Sequence, residues 1–231
     1  ALLKVSKLDT HSINVGKLGY WFIPKINAAG RLGDAARAVK LFTTNNSQFA
    51  NEIAIDLENE NEKRKLITMQ HENDAKRIIN DSINLDQDKI IILYNDNWHF
   101  GVIGIVASRI KELYNRPTIV LTKEDGVYKG SCRSIGGYDI VNALHVCSDI
   151  LENYGGHPMA AGLSIKEKNL KSFCIRINEY SNKNLDRDLQ PIINIDYELK
   201  LSEINNRFIK FLDYLEPFGP GNSKPVFATN N

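Results

Sequence analysis

What most constrains this chain is an absence: no glycine lies between Gly33 and Gly101, and no proline between Pro24 and Pro117. Glycine and proline are the two residues that break helices, the first through backbone entropy, the second through its ring and missing N–H. A long uninterrupted helix is therefore permitted, and the residues inside the gap favour one. Asp34 suits the N-cap of a short helix over residues 35–42, and Thr43-Thr44-Asn45-Asn46 is a polar break. A second helix opens near Ser47 and runs to about Ile83, with Phe49, Ile53 and Leu57 on one stripe. Its centre, residues 58–65, is heavily charged, and Leu66, Met69, Ala75, Ile78 and Ile79 follow. A helix polar in the middle and apolar at both ends is expected to bridge two lobes rather than fold back on one core as a solvated helix.

Beyond the bridge the pattern alternates as in an α/β unit. Strands are expected over 89–94, 117–122, 127–134 and 159–165, and helices over 101–114, 139–154 and 167–180. From Pro191 the character changes: a strand over 192–199, a helix from Ser202 to Leu215, and the turn Phe-Gly-Pro-Gly-Asn at 218–222. This segment reads as an appendage or the truncated start of a further domain. A first residue of Ala1 rather than Met suggests a piece of a longer chain.

With 42% hydrophobic and 25% charged residues the composition is that of an ordinary globular protein. A net charge of +1 argues against nucleic-acid binding by bulk positive charge, while leaving room for a groove lined by a few Arg and Lys. Cys132, Cys147 and Cys174 stand far apart with no paired spacing, so neither a zinc site nor a disulfide framework is suggested, and a reducing, cytoplasmic setting follows. No apolar run has the length of a membrane span, and no basic-then-apolar leader opens the chain.

Four glycine-marked segments gather groups suited to phosphate. In residues 24–34, small residues allow close backbone approach, and Asn27 and Arg31 are polar groups aimed at what approaches; the guanidinium fork suits phosphate oxygens. In residues 98–109, Gly101, Gly104 and Ser108 form a small-residue face beside the stripe of Ile103, Val106, Ile110 and Leu113. Arg109 could reach a phosphate or pair with a carboxylate such as Glu112, and His99 follows a strand's carboxyl end, where open α/β sheets bind ligands. In residues 130–137, alternation puts Ser131 and Arg133 on one strand face. In residues 155–165, Gly155 and Gly156 can turn their N–H groups into an anion-binding nest, and Pro158 disfavours helix at His157 and so presents its imidazole from extended backbone.

Asn-Ala-Ala-Gly-Arg-Leu-Gly-Asp-Ala (27–35), Trp-His-x-Gly-Val-Ile-Gly-Ile-Val-Ala-Ser-Arg (98–109), Gly-Ser-x-Arg-Ser (130–134), Gly-Gly-His-Pro-Met-Ala-Ala-Gly (155–162) and Phe-Gly-Pro-Gly-Asn (218–222), in this order, resemble the RecJ family of DHH phosphoesterases. The resemblance runs over nearly the whole chain. It implies a 5′-to-3′ exonuclease of single-stranded DNA acting in repair and recombination, with the α/β fold divided as the end of a DHH lobe (1–45), a long connecting helix (46–84), the α/β DHH-associated domain (85–185) and the incomplete start of an OB-like domain (186–231). Asn27, Arg31, Arg109, Ser131, Arg133, Gly155 and Gly156 are the residues expected to bind substrate, and the resemblance implies that Arg31, Ser131 and Arg133 hold the 5′-terminal phosphate. His157 would contact the scissile phosphate as the catalytic residue. Mn2+ or Mg2+ would serve the intact protein, but there is no Asp-x-Asp or Asp-His-His run here and the family's metal ligands would all lie upstream of Ala1. No metal and no hydrolysis are therefore expected of this segment alone. Partners implied are single-stranded DNA with a 5′-phosphate, a single-strand-binding protein and a helicase, and no membrane. Lys25 stands where the family usually has Arg, and Ser223 where Pro is usual. Two other readings are a DHH phosphodiesterase of short oligonucleotides or cyclic dinucleotides, disfavoured by the 191–231 extension, and a non-catalytic single-strand-binding module.

Overall fold

The gap in helix breakers is filled by one helix of 36 residues, α5 (Ser47–Ser82), which at 1.5 Å per residue is roughly 54 Å long. Asn46 caps it, its side chain accepting the Phe49 N–H at 3.1 Å. The computed structural model that shows it describes residues 1–6, 13, 15–185, 192–219 and 221–230. One end of α5 buries Ile53, Ala54 and Leu57 against Ala29 and Leu41. The other buries Ala75 and Ile79 in a second cluster with Ile91, Leu93, Trp98, Ile103, Val106 and Val120. Two separate cores on one helix make it a bridge. Its centre differs from the expectation of a middle polar all round: Asn61, Arg64 and Thr68 are buried. They can be covered because they are satisfied along the helix itself. Arg64 donates from Nε and Nη2 to Asn61 Oδ1 at 3.3 and 2.9 Å, and Thr68 Oγ1 donates to the Arg64 carbonyl at 2.8 Å.

Ahead of α5 lie α1 (Leu2–Val5), α2 (Val15–Lys17), a π-helical stretch (Leu18–Phe22), α3 (Ile23–Leu32) and α4 (Ala36–Thr43). The segment expected to be a glycine-rich approach is thus a helix, with Pro24 in its first turn, where no intrahelical N–H is needed. Ala28 and Ala29 are fully buried on its inner side. Asp34 accepts the Ala36 N–H at 2.8 Å, so α4 opens one residue later than expected and its N-cap is Ala35. Lys25 is buried, ion-paired with Glu58 and donating to Ser6 Oγ at 2.7 Å, which makes it a structural cation.

The α/β unit is a five-stranded sheet in the order β1-β2-β3-β5-β4. Its strands are β1 (Ile91–Tyr94), β2 (Thr118–Glu124), β3 (Val127–Arg133), β4 (Leu151–His157) and β5 (Ala160–Lys166). The β1–β2 pair is parallel and the others antiparallel. Helix α6 (Phe100–Tyr114) packs on one face. On the other, α7 (Ile140–His145) and α8 (Glu167–Asn184) close a core around Ile119, Leu121, Leu163, Ile165, Phe173 and Ile177. Burial pushes the Cys132 thiol up to about 12 and those of Cys147 and Cys174 up to about 11, so all three are protonated packing groups.

The helix expected over 139–154 is a correction. Helix α7 ends at His145, the chain turns through Cys147 and Ile150, and residues from Leu151 on form β4. Pairing with β5 sets Tyr154 opposite Leu163 and Gly155 opposite Gly162, and that ladder overrides local helix propensity. Beyond 191, the expected strand is reduced to β6 (Tyr197–Glu198), parallel to β7 (Phe227–Ala228). The expected helix from Ser202 to Leu215 divides into a 3-10 turn (Leu201–Glu203) and α9 (Asn206–Asp213) because Asn205 caps the latter, accepting the Arg207 and Phe208 N–H groups at 3.0 Å. Gly219 and Asn222 pair across the expected turn; Pro220, Pro191 and the 185/186 boundary lie at or beyond the limits of the described residues.

Candidate nucleic-acid interface

The small-residue face of α6 is filled by two of the four segments expected to suit phosphate, 24–34 and 130–137. A Cβ at Gly101 would sit 2.0 Å from the Arg31 carbonyl oxygen, so glycine there is what lets the end of α3 rest on the start of α6. A Cβ at Gly104 would lie 3.1 Å from both Arg133 Nη2 and Ser131 Oγ. Ser108 Oγ accepts from Arg133 Nε at 3.1 Å. Arg133 Nη1 donates to Ser131 Oγ at 2.9 Å and to the Cys132 carbonyl at 2.8 Å, and Arg31 Nη1 donates to the Gly101 carbonyl at 3.2 Å. Residues far apart in sequence are thereby gathered against one helix.

Neither guanidinium has a carboxylate partner among the described residues. Burial, and secondarily the neighbouring Arg31, pull the Arg133 guanidinium below its ordinary value, although it remains charged. Two cations held together without an acid make a site that an anion would stabilise. They line a cleft of about 670 Å³ with Ser131, His99, Phe100, Gly104 and Lys123, and its one acid, Glu124, is paired with Lys129 rather than with either guanidinium. The cleft's upper wall is braced from α5: His71 Nε2 accepts the His99 N–H at 2.9 Å, and its ring lies 6.1 Å from that of Trp98. Burial holds the His71 imidazole below its usual value, which preserves that acceptor. His99 Nδ1 in turn accepts the Gly101 N–H at 3.0 Å and caps α6.

The sheet register extends this cleft. Ser131 faces Gly162, which faces Gly155; Arg133 faces Ala160, which faces His157. Directly opposed residues share a sheet face, so these six lie on the face that α6 covers over β3 and leaves open over β5 and β4. His157 is two strand spacings from Arg133, or about 10 Å, across a floor of glycine and alanine. His157, Gly155 and Gly156 are exposed on an edge strand. Gly155 and Gly156 are ladder residues rather than a nest, because each is paired to β5; Gly156, at φ +147°, has its Cβ position 2.4 Å from the Ala160 carbonyl oxygen.

Three expected residues are not brought to the cleft, the first being Gly156, which pairs with Ala161 and so lies on the other face of the sheet. Arg109 pairs with Glu72 at 2.7 Å, not with Glu112, and Glu72 is shared with Lys76 at 2.6 Å. Asn27 is exposed one helical turn before Arg31 and does not line the cleft. Sequence reasoning passed over Phe100, Lys123 and the brace of His71. The first lies inside a motif it read for its glycines; the last needed a contact over 28 residues. Among the described residues no group of three or more His, Cys, Asp or Glu is placed to hold a metal ion, and the cleft's single lining carboxylate, Glu124, is paired with Lys129. Among the same residues no helix is long and apolar enough to cross a membrane.

Residues 87–183 match the DHHA1 domain and residues 195–231 the RecJ OB domain. The single-stranded-DNA-specific exonuclease RecJ of Bacillus subtilis is 34% identical over 233 residues, covering 100% of this chain and 29% of that protein. The RecJ of Haemophilus influenzae is 35% identical, covering 98% of this chain and 41% of its own length. The crystal structure of RecJ from Thermus thermophilus in complex with Mg2+ superposes with a TM-score of 0.85 at 29% identity, over 98% of this chain and 34% of that one. The same protein with Mn2+ gives 0.86 at 28% identity, over 99% and 33%. The chain thus spans between about three and four tenths of the length of these relatives. It belongs to the RecJ family, as the segment that carries a DHHA1 domain followed by a RecJ OB domain.

Proposed function

We propose that this chain is the strand-holding part of a single-stranded-DNA exonuclease that works from a 5′-phosphorylated end. The observation that carries the reading is the pair of guanidiniums, Arg31 and Arg133, left without a carboxylate around the Ser131 hydroxyl in a cleft that opens onto a smooth sheet floor. A terminal phosphate can take a bidentate contact from one Arg and a hydrogen bond from Ser131, while internucleotide phosphates have fewer free oxygens to offer. The strand would then pass over Gly162 and Gly155, where a side chain would obstruct it, toward His157. There the imidazole would donate to a phosphoryl oxygen and stabilise charge that grows during in-line displacement. Asn27, one turn before Arg31, would extend the grip, and the β4 edge offers unpaired backbone groups to the strand.

The divalent metal is part of this proposal for the whole enzyme, as are repair and recombination, a cytoplasmic setting, and partnership with a single-strand-binding protein and a helicase. The Mg2+ and Mn2+ complexes of the Thermus protein support the metal; the three protonated thiols suit a reducing compartment. The test is binding of this chain to one oligothymidylate bearing either a 5′-phosphate or a 5′-hydroxyl. A clear preference for the phosphate that disappears in Arg133→Ala is expected, and equal affinity for both ends would overturn the reading. With Mn2+ added, the isolated chain is expected to release no nucleotides.

A further inference from the structure

One aromatic ring in the cleft is not used by any phosphate contact. Phe100 opens α6, lines the cleft and is 47% exposed, whereas its neighbour Trp98 is buried at 4%. About half of the ring's surface is left uncovered by the fold. Its place relative to the phosphate groups is defined by β3. Lys129, Ser131 and Arg133 follow one another on one face of that strand, and α6 lies across them. Gly104 backs Ser131 and Arg133, and the Phe100 ring meets Lys129, whose Nζ stands 5.6 Å from its centroid. Lys129 is held there by an ion pair with Glu124. Two residues along a strand is about 6.8 Å. A nucleotide whose phosphate lies at Ser131 and Arg133 can therefore set its base at Phe100.

Resting on the reading of the cleft as a 5′-end site, we infer that Phe100 is the stacking platform for the 5′-terminal base. Every base has a π-face, so such a platform adds affinity without reading sequence, and the Lys129 ammonium beside the ring polarises the stack. The platform would make a terminal nucleoside, and not only its phosphate, part of what the chain recognises.

The experiment uses the full chain and two 5′-phosphorylated oligothymidylates that differ only at the first nucleotide, one normal and one abasic, with affinity read by fluorescence anisotropy. The wild-type chain is expected to bind the normal end about tenfold more tightly, as one stacked base is worth. Phe100→Ala should lose that difference by weakening only the normal end, and Phe100→Trp should keep it. If Phe100→Ala retains the tenfold difference, or weakens both ends alike, the platform is elsewhere and the inference fails while the phosphate reading stands. If the wild-type chain binds the normal oligothymidylate equally well with a 5′-hydroxyl in place of the 5′-phosphate, the underlying reading fails, and the inference with it.

Discussion

Two arginines reach out from the same surroundings of α6 and meet opposite fates. Arg109 is neutralised inside the chain by Glu72, which also takes Lys76. Arg133, packed on the other side of that helix, is given only hydroxyls and a carbonyl. Both sit in motifs of the same family, and both are Arg for reasons of charge and reach. The difference is whether the fold supplies the counter-ion. Where it does, the cation ties α5 to α6. Where it withholds one and adds a second cation nearby, the missing anion must come from a ligand.

The sharpest way to break this comparison is to remove each guanidinium in turn. Arg133→Ala is expected to weaken binding of 5′-phosphorylated single-stranded DNA about 100-fold, and Arg109→Ala to leave the phosphate preference intact; comparable losses would erase the distinction. A second test separates the glycines. Gly101→Ala must push α3 off α6 and should cost about 1–3 kcal/mol in urea unfolding, with loss of phosphate preference. Gly155→Ala, which meets open space, should stay within about 0.5 kcal/mol.

Smaller effects sharpen the paired side. Glu72→Gln should lower stability by about 1 kcal/mol or less, since Arg109 is nearly half exposed, and should not alter the choice between phosphate and hydroxyl ends. Although burial pushes the Glu72 carboxyl up, its bonds from Lys76 and Arg109 leave it below the ordinary carboxylate value. Its contribution is therefore present above that value and lost as pH falls through the lowered one, so an acid titration of unfolding should be shallower in Glu72→Gln. His71 provides the smallest signal. Burial favours its neutral form, so stability should decline as pH falls from the ordinary imidazole value toward the lowered one. His71→Asn should flatten that slope in thermal melts at constant salt.

The paired and unpaired arginines also show what a sequence can disclose. The alternation that joins Ser131 to Arg133 is local, and so is the small-residue face of α6; both are legible because a strand or helix period fixes them. The helix α5 was legible from its missing glycines and prolines. The fate of Arg109 was not, because Glu72 lies 37 residues upstream and reaches it only after α5 and α6 pack. Residues 146–154 failed for a related reason: helix and strand were both open to them, and the choice was made by β5, which comes later in the chain. His157 and Arg133 show the intermediate case. Each was identified in its own motif, but their shared face depends on a two-strand register that no single motif contains.

Helix α5 has a consequence of another kind. Because it carries one core at each end and Arg31 and Arg133 belong to opposite ends, its residue count is a phase setting as much as a length. One inserted residue would turn the far lobe by about 100° and move it about 1.5 Å, with every named side chain still present. The cleft would then lose one wall without losing a single ligand-binding residue. Insertions and deletions in this helix should therefore be tolerated less well than almost any substitution on its exposed surface.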